Sequence, residues 1–93
     1  MSPTLRHLYL QAVNWGNASL SRLIAEALDR AFLESGMTQE QVGEASGISQ
    51  SQVSKYLRGV RVPDVDQLDA LCDALGLDIA AVVATAKRQR RTR

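Results

Sequence analysis

With one cysteine, Cys72, the chain has no internal disulfide and no thiolate pair at metal-ligand spacing, so a reducing cytosol is the expected setting. Its one histidine, His7, has no Cys, Asp or Glu at ligand spacing, which excludes a metal centre there and leaves a surface position. No apolar run approaches the roughly 20 residues that span a bilayer, and the N-terminus lacks the basic-then-apolar pattern of a signal peptide. No stretch alternates apolar and polar residues, and there is no Asn-Gly hairpin signal, so no sheet is expected. A Gly-rich phosphate loop, a paired nucleophile and base, and zinc spacing are all missing. An enzyme, a cofactor and a metal are therefore excluded from the reading. Aromatics are scarce at 4%, so the core must be built on Leu, Ile, Val and Ala.

What is present is a succession of short helical patterns. Ninety-three residues make one small domain, of a size that needs a partner or very regular helical packing to be comfortably stable. Ser2-Pro3 opens a first helix carrying Leu5, Leu8, Tyr9, Ala12 and Val13, which Asn14-Trp15-Gly16-Asn17 ends. Trp15 reads as a core or interface plug. A second helix runs from about Ala18 to Ser35, with Leu20, Ile24, Ala27, Leu28 and Ala31 on one side and Gly36 as its left-handed stop. Thr38 with Gln41, Ser49 with Gln52, and Asp64 with Gln67 each form a capping box opening a further helix. Gly47 and Gly59 end the first two of these. The third carries Val65, Leu68, Leu71, Cys72 and Leu75 inward and stops at Gly76, and Asp78 caps a last helix of Ile79, Val82, Val83 and Ala86. The expected fold is an all-α bundle of six helices. Residues 1–17 form an N-terminal extension, 18–86 the domain proper, and 87–93 a basic C-terminal tail.

The net charge of +1 conceals a segregation. Residues 1–86 hold six Lys/Arg against ten Asp/Glu, and residues 87–93 add five cations. From Ile48 to Pro63 the only charges are Lys55, Arg58 and Arg61. From Asp64 to Asp78 there are five aspartates and no cation. A polyanion is drawn to one surface and repelled by another. The aspartates read as caps and solvated faces. The tail reads either as a solubilising end or as a source of salt-dependent phosphate attraction.

Residues 38–59 are two short helices joined by a tight turn. At 100° per residue, Val53, Tyr56 and Leu57 fall within roughly a 100° arc of the second one. Ser51, Lys55 and Arg58 lie nearly opposite, flanked by Gln52 and Ser54. Ordinary exposed helix faces mix both signs of charge. A polar stripe without a carboxylate suits the major groove, where Gln pairs with adenine, Ser serves either role, and Lys or Arg reaches guanine or phosphate. The bland alternative is a solvated face in a bundle that does not bind DNA.

In this segment and its surroundings the chain resembles the Cro/lambda-repressor-like (XRE-type) helix-turn-helix family. The resemblance runs from about Leu20 to Val83. It rests on Thr38-Gln39, Ala45-Ser46-Gly47-Ile48-Ser49, Val53-Ser54, Arg58-Gly59, Arg61-x-Pro63, Leu68-x-x-Leu71 and Ala74-Leu75-Gly76-Leu77, in that order and spacing. It implies a five-helix bundle, here with an extra N-terminal helix, and it implies roles. Gln50 contacts adenine with Gln39 supporting it, Ser51 touches a neighbouring base, Lys55 meets base or phosphate, and Arg58 and Arg61 hold the backbone. Gly43 stands where the family usually has Ala and is expected to loosen its helix by up to ~1 kcal/mol. Leu57 replaces a frequent Glu and packs. Cys72 stands where the family has a small buried residue and is inert packing.

The expected function is a sequence-specific transcriptional regulator, a repressor of the phage-immunity or bacterial type, acting in the cytoplasm on double-stranded operator DNA. The expected DNA-binding set is Thr38, Gln39, Ser49, Gln50, Ser51, Gln52, Ser54, Lys55, Arg58 and Arg61. Within it Gln39, Gln50, Ser51 and Lys55 read bases, while Thr38, Gln52, Ser54, Arg58 and Arg61 hold phosphates. One such domain offers few base contacts, so a homodimer on a palindromic site is expected. Self-association would use the helices present, the first or the last, and residues 1–17 either brace the bundle or make that contact. The reading from another class is an antitoxin-like module that sequesters a protein partner.

Overall fold

The computed structural model describes residues 19–92. The first expected helix, with His7 and Trp15, lies outside them. The described residues form five helices and no strand: α1 Leu20–Ser35, α2 Gln39–Ser46, α3 Gln50–Leu57, α4 Val65–Ala74 and α5 Ile79–Thr92. Each begins where a side chain three residues back can satisfy an otherwise unpaired backbone N–H. The Ser19 hydroxyl accepts from the Arg22 amide at 3.1 Å, so α1 starts at Leu20. Thr38 and Gln41 make the reciprocal pair that opens α2, and Asp64 and Gln67 repeat it for α4. The Asp78 carboxylate accepts from the Ala81 amide at 3.1 Å and opens α5.

α1 packs against α3 and α5, α2 against α3 and α4, and α4 against α5. The core they enclose is aliphatic, with Leu23, Leu28, Val42, Val53, Leu71 and Cys72 essentially inaccessible. Tyr56 is buried at its rim, and Val82 and Ala86 seat α5 on it as expected. Leu23 is buried beside the expected α1 stripe of Leu20, Ile24, Ala27, Leu28 and Ala31; the face is wide enough to include it. One expectation about the core needs correction. Val65, expected inward, is 74% exposed. As the first residue of α4 it lies beyond the edge of the core, which the helix reaches only from Leu68 onward.

α5 runs through Thr92 and so includes most of the basic run that starts at Lys87. Arg90 and Arg91 lie in its last turn, where cations face the negative end of the helix dipole. No helix among the described residues is long and apolar enough to cross a membrane, and no cluster of metal-ligating groups occurs among them.

Burial pushes the Cys72 thiol up to about 11, with the charges of Asp69, Asp73 and Asp78 adding to the effect. The folded-state value lies above the unfolded one. The associated stability is therefore fully present below about pH 9 and declines as pH rises toward 11. Urea melts across pH 8–11 are expected to show this decline, and Cys72→Ala should flatten it.

Candidate nucleic-acid interface

α2, the turn and α3 are held together by backbone. The Gly43 carbonyl accepts from the amides of both Gly47, at 2.8 Å, and Ile48, at 3.1 Å. The Ser46 hydroxyl donates to the same carbonyl at 3.4 Å and accepts from Ile48 N–H at 3.3 Å. Gly47 adopts φ +75, the left-handed conformation that glycine reaches without a Cβ penalty. Ile48 then enters the core, and the Ser49 hydroxyl accepts from the Gln52 amide at 3.3 Å to start α3.

Gly43 itself is required by this geometry. A Cβ there would stand 2.7 Å from the Ile48 carbonyl oxygen and 3.5 Å from the Gln50 amide nitrogen. Beside the expected loosening of the helix, the absent side chain lets α2 approach the turn and the first residue of α3.

Along α3 the angular division holds. Val53, Tyr56 and Leu57 are buried, while Gln50, Ser51 and Arg58 are exposed. The rest of the expected set divides by position. Thr38, Ser49 and Arg61 are exposed; Gln39, Gln52, Ser54 and Lys55 are half-buried. The hydroxyl oxygens of Thr38 and Ser49 already accept cap hydrogen bonds, leaving their O–H groups available to donate. Arg58 folds back, its Nε donating to the Ser54 carbonyl at 3.3 Å. Gln39 and Gln50 share no hydrogen bond among the described residues.

The capping box expected of Ser49 and Gln52 forms only by half. The Gln52 side chain does not reach back to the Ser49 amide, and its Oε1 is buried without a hydrogen-bond partner. With Oε1 turned into the fold, only the amide nitrogen of this side chain is left to meet a ligand.

After α3 the chain turns at Gly59, φ +73, whose amide donates to the Tyr56 carbonyl at 3.1 Å. The amides of Val60 and Arg61 both point at the Lys55 carbonyl, at 3.0 and 3.4 Å. Arg61 is thus tied by its backbone to the last turn of α3, and it borders the groove between that turn and α1. Lys55, Arg58 and Arg61 make no ion pair among the described residues; the one between described side chains joins Arg22 and Glu26 at 3.7 Å on α1. The acidic residues Asp66, Asp69 and Asp73 belong to α4, on a different element. A concave, partly apolar groove lies between α1 and the segment that follows α3, bordered by Ile24, Ala25, Leu57, Val62 and Leu68. Sequence reasoning had not placed it, because it is formed by residues more than thirty positions apart and no periodicity marks such a pairing.

Comparison with known proteins places the same segment at the centre. The family described as Helix-turn-helix matches residues 28–82, more than half of the chain. An uncharacterized HTH-type transcriptional regulator, y4dJ, of Sinorhizobium fredii (strain NBRC 101917 / NGR234) is 38% identical over 64 residues, covering 69% of this chain and 83% of that protein. No solved structure is a significant match.

Proposed function

This chain belongs to the helix-turn-helix family of transcriptional regulators, of the Cro/lambda-repressor-like type, and on that premise we propose that it is a sequence-specific repressor acting on operator DNA in the cytoplasm. The observation that carries the reading is the division of α3. Val53, Tyr56 and Leu57 fix one side in the core, and the other side, with the segment that follows, bears Lys55, Arg58 and Arg61 and no carboxylate. α3 enters the major groove. Gln50 and Ser51, exposed in its first turn, read base edges with Gln39 and Lys55 beside them. Thr38, Ser49, Ser54, Arg58 and Arg61 hold phosphates, and Gln52 contributes through its amide nitrogen, the oxygen being buried. Two copies on a palindromic site supply the affinity that a single domain lacks, and occupancy of a promoter of the phage-immunity or bacterial type excludes polymerase.

The test begins with selection of bound duplexes from a random pool, followed by Gln50→Ala on the recovered site. The substitution is expected to weaken binding by about 1–3 kcal/mol and to relax preference at one base position. Equal affinity of Gln50→Ala and the parent would remove Gln50 from the reading face. Steep salt dependence with no preferred sequence would instead favour a module whose specific partner is a protein.

A further inference from the structure

One oxygen atom closes the segment between α3 and α4 into a ring. The Tyr56 hydroxyl, on the buried side of α3, donates to Gln67 Oε1 at 2.6 Å. The same oxygen accepts the Asp64 amide at 3.4 Å, as its half of the cap of α4. A side-chain amide oxygen has two lone pairs, so both bonds can be held together. At the other end, the amides of Gly59 and Val60 are bound to the carbonyls of Tyr56 and Lys55. Both ends of residues 59–64 are thus tied to the last turn of α3, the near end through backbone and the far end through Gln67.

Within the ring, side-chain packing does little to hold the chain. Val60 is 67% exposed and Val62 63% exposed, and Arg61 between them is exposed as well. With only Pro63 half-buried, the segment keeps its shape chiefly through its end constraints.

We propose that Tyr56 and Gln67 are positioning residues for Arg61. They hold the 59–64 ring, and with it the Arg61 backbone, against the last turn of α3, and they act on DNA binding through Arg61 alone. This rests on the reading of α3 as a DNA-binding helix. Tyr56 touches no ligand: its hydroxyl is spent on Gln67, and its ring is in the core.

The experiment measures the affinity of the full chain for a duplex as a function of salt. Parent, Tyr56→Phe, Arg61→Ala, Arg58→Ala and the doubles of Tyr56→Phe with each arginine variant are compared. Arg61→Ala is expected to lower affinity for all sequences and to reduce the salt slope by about 1. Tyr56→Phe keeps the buried ring and loses only the hydroxyl, and is expected to reproduce much of that change, with a threefold to tenfold loss of affinity. In the Arg61→Ala background Tyr56→Phe should add nothing, while with Arg58→Ala the two losses should multiply. Gln67→Met, which opens the ring from the opposite side, should give the same pattern. A merely structural role would lower the melting temperature and leave the salt slope at the parent value, and that outcome overturns the proposal. So does a Tyr56→Phe loss that persists in full without Arg61. A parent chain that binds no duplex at all fails the functional reading itself, and the positioning role with it.

Discussion

Gly43→Val is expected to destabilise the protein by about 3 kcal/mol, and Gly43→Ala by about half as much. On helix propensity alone the alanine variant should gain up to ~1 kcal/mol, because glycine is the poorest ordinary residue in a helix interior. The geometry opposes that gain. The atom facing the new Cβ is the Ile48 carbonyl oxygen at 2.7 Å, part of a backbone already fixed by the hydrogen bonds that Gly47 and Ile48 make to Gly43. Relief requires α2 to move away from the turn, which displaces the start of α3. Valine adds two methyl groups in the same space. Urea denaturation of the two variants checks the sign directly. A Gly43→Ala protein more stable than the parent would show that the turn yields easily and that propensity dominates.

Leu71→Ala is expected to cost about 2–5 kcal/mol, a large fraction of the 5–15 kcal/mol typical of a whole domain. α4 buries only Leu71 and Cys72 fully, so one leucine carries much of its attachment to α2 and α5. Truncation leaves a cavity among side chains that are themselves fully enclosed, Leu28, Val42 and Val53 among them, and such sites collapse poorly. A thermal melt should shift down by roughly 8–40 °C, given about 4–8 °C per kcal/mol for a domain of this size. A shift of only a few degrees would mean that α4 is held chiefly by its half-buried residues Leu68, Ala74 and Leu75.

The helices were legible because their boundaries are local. Thr38, Asp64 and Asp78 cap within three residues, and Gly36, Gly47 and Gly59 turn with positive φ close to where periodicity fails; the Ser19 cap, one residue past the expected start of α1, was not read. The inward face of α3 was legible for a similar reason, since three apolar residues on one arc allow only one orientation. What escaped the sequence depends on distance. Gly43 reads as a weak helix residue until Ile48 is placed against it. Val65 continues the apolar pattern of α4 but lies where the core has already ended. Gln52 matches the capping-box spacing, yet burial draws its side chain elsewhere. The tie from Tyr56 to Gln67 crosses between helices, and no spacing rule announces it.

α2 and α3 are eight residues each. Isolated helices shorter than about 12–15 residues are marginal in water. The exposed stripe on α3 is therefore not a structured peptide attached to a scaffold. It exists only while Val53, Tyr56 and Leu57 are docked, and the free energy that keeps it folded is essentially that of the surrounding core. Loosening of the core around α3 and loss of the exposed stripe are then one event: the fraction of molecules that present it tracks the fraction in which Val53, Tyr56 and Leu57 are docked.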